Sequence, residues 1–584
     1  MYEIVYNNSF LLNFITSFIF LLLLIIFSFS NYTINSKSIT LFGKFQPLAI
    51  FFITLSLIVF LFNIIIYLNI YKYLNFIFYI FILSLFIIWF FLADKKKIKI
   101  FDKNIFNKKS IIVICFFVTF FLVSILPISD ADSIAIHQNL ANYIYFYGLE
   151  AINLSKNFEF TTLSNSEILL IISPILKSDN FGSQLNFFSL LVFFIVSFKY
   201  NKSFIFFIFS CPLIIFLVST QKLQLFFGIL YLLLFILVHQ NLIKKKIEIF
   251  LFIILLSFYA SAKISYILIA LPLLFYYLIL NKKNLILILI YSFTVFIFFF
   301  TPIFLIKYKF LGNPISPFFD NFFNENNQLI NSFALNLRSS EGWLGRAIEV
   351  KTFLKPFMPL SLSPSSLSNN LGLLFLFQLF NYSLLKKTKF IPIIIIALII
   401  STGQLLPRYY FEAFLLLSFF YKNDKNNLVN VIKFLQSSII LILSVLFLFN
   451  SYFKTNVIFE KNKFMNRFSY SFYNAQQFNK LNISENILSI PQDRQSMFLK
   501  NNIYGSRGVY VRSLYTDKSS ALISFVKENS IKYIVGANDI ILPSCIVLNK
   551  IGDINHKKTV RNFLLYGKEI SYNIYLIGIE SCKL

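Results

Sequence analysis

Apolar runs of about 20 residues recur along this chain, and they restrict its possible folds more than any other feature. Each is long enough for a helix to cross a hydrocarbon core of about 30 Å. Only 13% of the residues are charged and 58% are hydrophobic, against about 25% charged in a typical soluble domain. The expected fold class is therefore a polytopic α-helical membrane protein. The first run, over 10–30, follows MYEIVYNNS, which lacks Lys and Arg, and no small-residue cleavage site comes after it. It reads as a span rather than a cleaved signal.

About fourteen membrane segments are expected, near 10–30, 47–68, 74–93, 110–128, 183–198, 203–218, 223–238, 247–262, 264–280, 285–305, 371–385, 390–406, 408–421 and 431–450. The formal net charge of +27 falls largely in clusters between these runs. No basic stripe alternates with aromatics on a soluble face, so nucleic-acid binding is excluded. If the strongest cluster, DKKKIKIFDKNIFNKKS over 94–110, is cytoplasmic, alternation also places KKK at 244–246, NKK at 281–283, KKTK at 386–389 and KNDK at 422–425 inside. One topology thus satisfies the positive-inside rule at every major cluster. It puts the N-terminus, the loops 129–182 and 307–370, and the tail after Asn450 outside.

That topology sets an expectation for the apolar patch SEILLIISPIL (166–176): it is re-entrant or lies along the interface, since a true span would reverse every later segment. It also leaves Lys222, Lys263 and Arg408 on the outer side, in short connections at membrane depth. Such charges are costly and usually have a partner or a task, and the alternative for each is snorkelling to headgroups. Beyond residue 450, NILSIPQD, IKYIVGA and NIYLIGIE read as strands and DKSSALISFVKENS as a helix, a small α/β domain on the outer face. Cys115 and Cys211 lie in apolar runs as buried, inert thiols. Cys545 and Cys582 lie in the tail, where a disulfide is open but not fixed by spacing. No CxxC or zinc spacing occurs.

The first close acidic pair stands where an early apolar run ends, in PISDADSIAIHQNLANYIYFYG (127–148). Ser129 or Asp130 is placed to cap the helix that follows. In that helix Ile136, Leu140, Tyr143 or Ile144, and Tyr147 recur at helical spacing, while Ser133, His137 and Gln138 take another face. This pattern predicts an amphipathic helix in the outer interface. Capping accounts for one carboxylate but less well for two beside a histidine. A partly desolvated carboxylate can act as general base toward a hydroxyl. A phosphate or pyrophosphate leaving group then needs Lys or Arg for its growing charge.

An Asp-containing first outer loop, an interfacial helix behind it, many spans and a C-terminal outer domain resemble the GT-C superfamily of integral membrane glycosyltransferases. SDADS resembles their acidic loop motif. FLGNPISPFF (310–319) is similar to the Gly-Asn-Pro…Pro-Phe segment of many bacterial members, and PRYYFEAFLLL (407–417) to an Arg-Tyr…Glu helix start near their late spans. The resemblance implies a core over 110–450, preceded by additional helices and a basic loop over 1–109 and followed by the outer domain over 451–584. It implies transfer of a sugar from a polyprenyl-phosphate donor to a cell-surface glycan or lipid, in the bacterial cytoplasmic membrane. Asp130 takes the catalytic-base position, Asp132 is a second acidic position, and Arg408 neutralises the donor phosphate. Lys222 and Lys263 join them by sidedness, and His137 is placed to orient an aspartate or bind acceptor. The chain departs from the family in having three segments before the motif-bearing one.

A divalent cation between Asp130 and Asp132 is open at this point, as is a site without metal. Glu341 and Trp343 in SSEGWLGR, in the second outer loop, carry no assignment. The rival readings are an O-antigen polymerase or ligase, which usually relies on Arg and His in a large late loop, and a transporter or flippase. The latter calls for inverted repeats or broken helices with midplane charges, and neither is evident in the sequence.

Overall fold

The computed structural model describes residues 9–30, 33–34, 37–38, 41–92, 108–130, 132–149, 162–197, 204–315, 370–401, 407–421, 427–469, 472–480, 483, 485–489, 503–505, 518–536, 547–557 and 569–578. Cys545, Cys582, Glu341 and Trp343 lie outside them, as does most of the loop 307–370. Of the two thiols expected to be buried, Cys211 is, whereas Cys115 is exposed on the outward face of its helix.

Among the described residues, five helical stretches are long and apolar enough to cross a membrane: Phe10–Phe29, Gly43–Tyr67, Tyr71–Leu92, Lys282–Lys309 and Asn427–Lys454. Their outward faces carry Phe, Ile and Leu where a soluble protein would place charge. Phe91, Ile286 and Phe434 are 75%, 74% and 68% exposed. In water such continuous apolar surface would drive association, whereas lipid is its natural solvent. The helix Gln224–His239 lies at the opposite extreme, with every residue from Leu225 to Val238 buried at the centre of the bundle. A helix apolar all round belongs in such a core or in a membrane.

Other expected spans are shorter. Lys108–Ser124 and Phe181–Ser197 have 17 residues each, Gln224–His239 and Lys246–Ser261 have 16 each, and Ile264–Leu280 has 17. At 1.5 Å per residue they reach roughly 25 Å. Ile391–Ser401 and Phe411–Phe420 are shorter still, at 11 and 10 residues. Two expected segments are broken. The stretch 203–218 divides into Phe204–Phe209 and Pro212–Val218, and 371–385 into Leu373–Leu379 and Tyr382–Lys387.

The first break finds partners within the protein. The Gln436 amide donates to the carbonyl of Ser210 and accepts from the N–H of Leu374, at 3.1 Å each. The N–H of Leu213 donates to the carbonyl of Asn370. Backbone groups freed inside a membrane need such partners. The sequence reading gives one span here, yet the break falls at Ser210-Cys211-Pro212, where the proline cannot continue the preceding helix and starts the next.

The patch 166–176 forms two short helices, Asn165–Leu169 and Ile172–Ile175. All of Ile168–Ile175 is buried, so the patch is packed inside the protein and is too short to cross. The expected interfacial helix is present as a π-helical turn, Ser133–His137, continuing into Gln138–Tyr147. Its faces are divided differently from the expectation. Gln138, Asn139 and Asn142 are buried with Leu140 and Ile144, while Tyr147 is exposed. Burial of the polar face is supported by the 2.8 Å bond from the Gln138 amide to Asn142. Gly148 ends the helix at φ +73°, where a Cβ would meet the ring of Tyr71.

Toward the N-terminus, β1 (Thr33–Ile34) pairs with β2 (Lys37–Ser38). The tail folds as a five-stranded mixed sheet of β3 (Asn486–Ser489), β4 (Ile503–Gly505), β5 (Ile531–Gly536), β6 (Val547–Lys557) and β7 (Glu569–Gly578), in the order β4-β3-β5-β7-β6. β3 is parallel to β4 and β5, and β7 is antiparallel to β5 and β6. Ile487, Val535, Ile554 and Ile574 of this sheet share one apolar cluster with Phe10, Ile125, Ile128 and Ile134. The tail therefore sits over the bundle end that carries Asp130, and a buried pair, Lys461 to Asp179 at 2.8 Å, reinforces the docking. At another end of the helices Glu248 accepts from the N–H groups of Phe42, Lys244 and Lys245.

Candidate functional site

Asp130 does two things with its two oxygens. Oδ1 accepts from the N–H groups of Asp132 and Ser133, both at 3.1 Å, and so caps the helix. Oδ2 is buried and has no hydrogen-bond partner among the described residues. A buried carboxylate oxygen without a donor is costly, which makes it the acceptor the site leaves open. The cap and base readings of Asp130 are thus compatible in one side chain.

Lys222 closes the acidic pair. Its Nζ lies 2.6 Å from Asp132 Oδ2 and 4.0 Å from Asp130 Oδ1, with both ends of the pair largely buried. Lys222 reaches them because the Gln221 N–H is bonded to the Ser133 hydroxyl at 2.8 Å, tying its turn to the motif helix. The ring of Phe216 lies 4.9 Å from the same ammonium. The ammonium occupies the place beside both carboxylates that a divalent cation would need and offsets one of their two charges, and among the described residues no group of three acidic, His or Cys side chains forms. This donor set does not favour a metal ion.

Arg408 is buried and within electrostatic range of Asp132 and Asp130. Its backbone carbonyl is fixed by the amide of Gln224. The Tyr409 ring faces two cations, with the Arg408 guanidinium at 5.1 Å and Lys263 Nζ at 4.6 Å from its centroid. Lys263 is solvent-accessible, yet burial by surrounding protein lowers its pKa, with Arg408 and Lys222 adding to the effect against Tyr409 and Glu167. An anion bound beside it would favour its charged form.

The structure therefore brings Asp130, Asp132, Lys222, Lys263 and Arg408 into one electrostatic cluster. His137 stands on the same helix, and its Nδ1 is 2.7 Å from Glu167 Oε1. Sequence reasoning missed Glu167 and Tyr409. Glu167 was hidden as the lone acid of an apolar patch, although a carboxylate there was itself the signal. Tyr409 was hidden beside a more conspicuous arginine. Of the segment 310–319, residues 310–315 are described, with Asn313 fully buried; 316–319 lie outside the described residues.

No protein-family model, curated protein or solved structure matches this chain. The functional reading rests on the chemistry of this cluster.

Proposed function

We propose that the protein is an integral membrane glycosyltransferase that moves a sugar from a polyprenyl-phosphate donor to a cell-surface glycan or lipid, at the outer face of the bacterial cytoplasmic membrane. The observation that carries the reading is the open Oδ2 of Asp130 beside three cations that share its end of the bundle. In this account Asp130 Oδ2 takes the proton of the acceptor hydroxyl, whose oxygen attacks the sugar C1 from the face opposite the phosphate, with inversion. Lys222, Lys263 and Arg408 stabilise the negative charge that grows on the departing phosphate. Asp132 holds Lys222 in place. The helices short of full span complete a bundle of about fourteen crossings, and the mixed-sheet domain stands outside.

The reading is tested by mass spectrometry of surface glycans from a strain lacking the gene. A missing sugar unit, restored by the native gene, is the expected result. An unchanged glycan profile contradicts it.

A second reading, a transporter or flippase, draws on the break at Ser210–Pro212. The groups that satisfy that break, the Gln436 side chain and the Asn370 backbone carbonyl, are neutral, whereas transporter breaks cradle charged cargo or ions. Sugar transfer by the purified protein in detergent, where no sealed compartment exists, separates the two.

A further inference from the structure

The proton chemistry assigned so far uses one carboxylate, but the cluster holds a second group built for proton transfer. His137 lies in the π-helical turn that closes from the Gln138 N–H to the Ser133 carbonyl, a rare geometry often found at functional sites. Its Nδ1 is 2.7 Å from Glu167 Oε1, and Glu167 is 2% exposed against 24% for the imidazole. Glu167 is itself locked. Ser166 donates to its Oε1 at 2.9 Å, and the Ser164 hydroxyl lies 2.5 Å from its Oε2 and 2.5 Å from the carbonyl of Ala262. Ala262 directly precedes Lys263, so the dyad is tied to the connection that carries a site cation.

With Nδ1–H given to the carboxylate in both the neutral and the protonated ring, Nε2 is the position where the imidazole gains or loses its proton. That atom belongs to the partly exposed side of an otherwise buried pair. The charged or titratable groups around the dyad are Glu167 itself, then Lys263 and Tyr266 within electrostatic range of Glu167, and Arg408, Lys222 and Tyr409 around Lys263. Asp130 and Asp132 precede it on its own segment.

We propose that His137 is a second proton-transfer group of the site, giving a proton from Nε2 to the lipid phosphate as the sugar departs, and that Glu167 is its positioning residue. The inference rests on the transferase reading. As the C1–O bond to phosphate breaks, its electron pair remains on the phosphate oxygen and the His137 proton joins it. The acceptor hydroxyl proton goes to Asp130 as its oxygen bonds to C1. One proton enters the protein and one leaves, and exchange with solvent resets both groups.

The test is proton uptake on binding the product-side lipid. The full chain in nanodiscs is titrated calorimetrically with a polyprenyl monophosphate, in buffers of different ionisation enthalpy near pH 7. The native protein is expected to take up a proton on binding, His137→Gln none with about tenfold weaker binding, and Glu167→Gln half the native uptake or less. Inorganic phosphate is expected to bind at least tenfold more weakly than the lipid. Equal affinities would make the site one for free phosphate and overturn the lipid assignment. Uptake that persists in His137→Gln but disappears in Lys263→Met would move the proton to the lysine and overturn the inference, as would failure of the native protein to bind the lipid. If His137→Gln does not fold, Glu167→Gln decides: it keeps the side-chain shape, and unchanged uptake there removes the positioning role. Sugar transfer combined with unchanged uptake in His137→Gln overturns this inference alone. Proton-linked lipid binding in a protein that transfers no sugar overturns the transferase reading instead.

Discussion

Glu167 shows how much one side chain at this site depends on its neighbours. Burial raises its pKa, but the hydrogen bond and charge of His137 and the hydroxyls of Ser164 and Ser166 outweigh burial and hold it below its ordinary 4.5. A carboxylate whose folded pKa is depressed contributes stability above the unfolded value and loses it as pH falls through the folded one. The native protein should therefore lose thermal stability as pH drops below about 4.5. Glu167→Gln should be less stable at pH 7 and show a smaller loss across that acid window. Parallel melting curves for the two proteins would remove the pair from the account. The carboxylates nearby make a separate prediction: because Lys222 sits against Asp132 and Asp130 and Arg408 is within electrostatic range of both, sugar transfer should persist in EDTA. Its loss on chelation and return with a divalent cation would place a metal where the lysine stands.

The break between Phe204–Phe209 and Pro212–Val218 shows how an element can be interrupted without charge. Gln436 is 2% exposed and joins this gap to the start of the helix Leu373–Leu379, as donor to Ser210 and acceptor from Leu374. Gln436→Leu keeps the volume and strands two backbone groups, at about 1–3 kcal/mol each. Thermal unfolding in detergent should register a clear drop, and an unchanged midpoint would mean that the gap is satisfied some other way. The same element marks the limit of what the sequence discloses. Long apolar runs with polar flanks were readable as helices, and NILS, IKYIVG and NIYLIG as strands, because length and β-branched content separate them. The strands β4 and β6 were not readable: IYG is too short, and VLNKIGDINHK alternates weakly around a glycine. The breaks carried local signals, Pro212 at the start of one new helix and Asn381 capping the other, but the partner that satisfies Ser210 is a glutamine more than 200 positions away and was not legible.

Over the whole molecule, the sequence contributed sidedness and the fold contributed contact. Lysine bookkeeping put Lys222, Lys263 and Arg408 at one level with Asp130, but only folding could bring these connections together, since they are separated by tens to hundreds of residues. The motif helix, the 164–167 turn and the tail domain all meet at that end. Alternation predicts that this end is extracytoplasmic. Reporter fusions at Lys245 and Asn482 should give cytoplasmic and extracytoplasmic signals respectively. The same signal from both would contradict the topology. The central claim, that Asp130 is a base and not only a helix cap, is tested most directly by Asp130→Asn. Asparagine keeps the size and caps nearly as well, so a purely structural aspartate should lose about 1 kcal/mol or less. A general base loses its proton-accepting charge, at about 10²–10⁴-fold in rate. The measurement is restoration of the surface glycan by Asp130→Asn in the deletion strain, with membrane abundance checked by blotting. The account predicts an abundant, inserted protein that restores nothing; full restoration would contradict it.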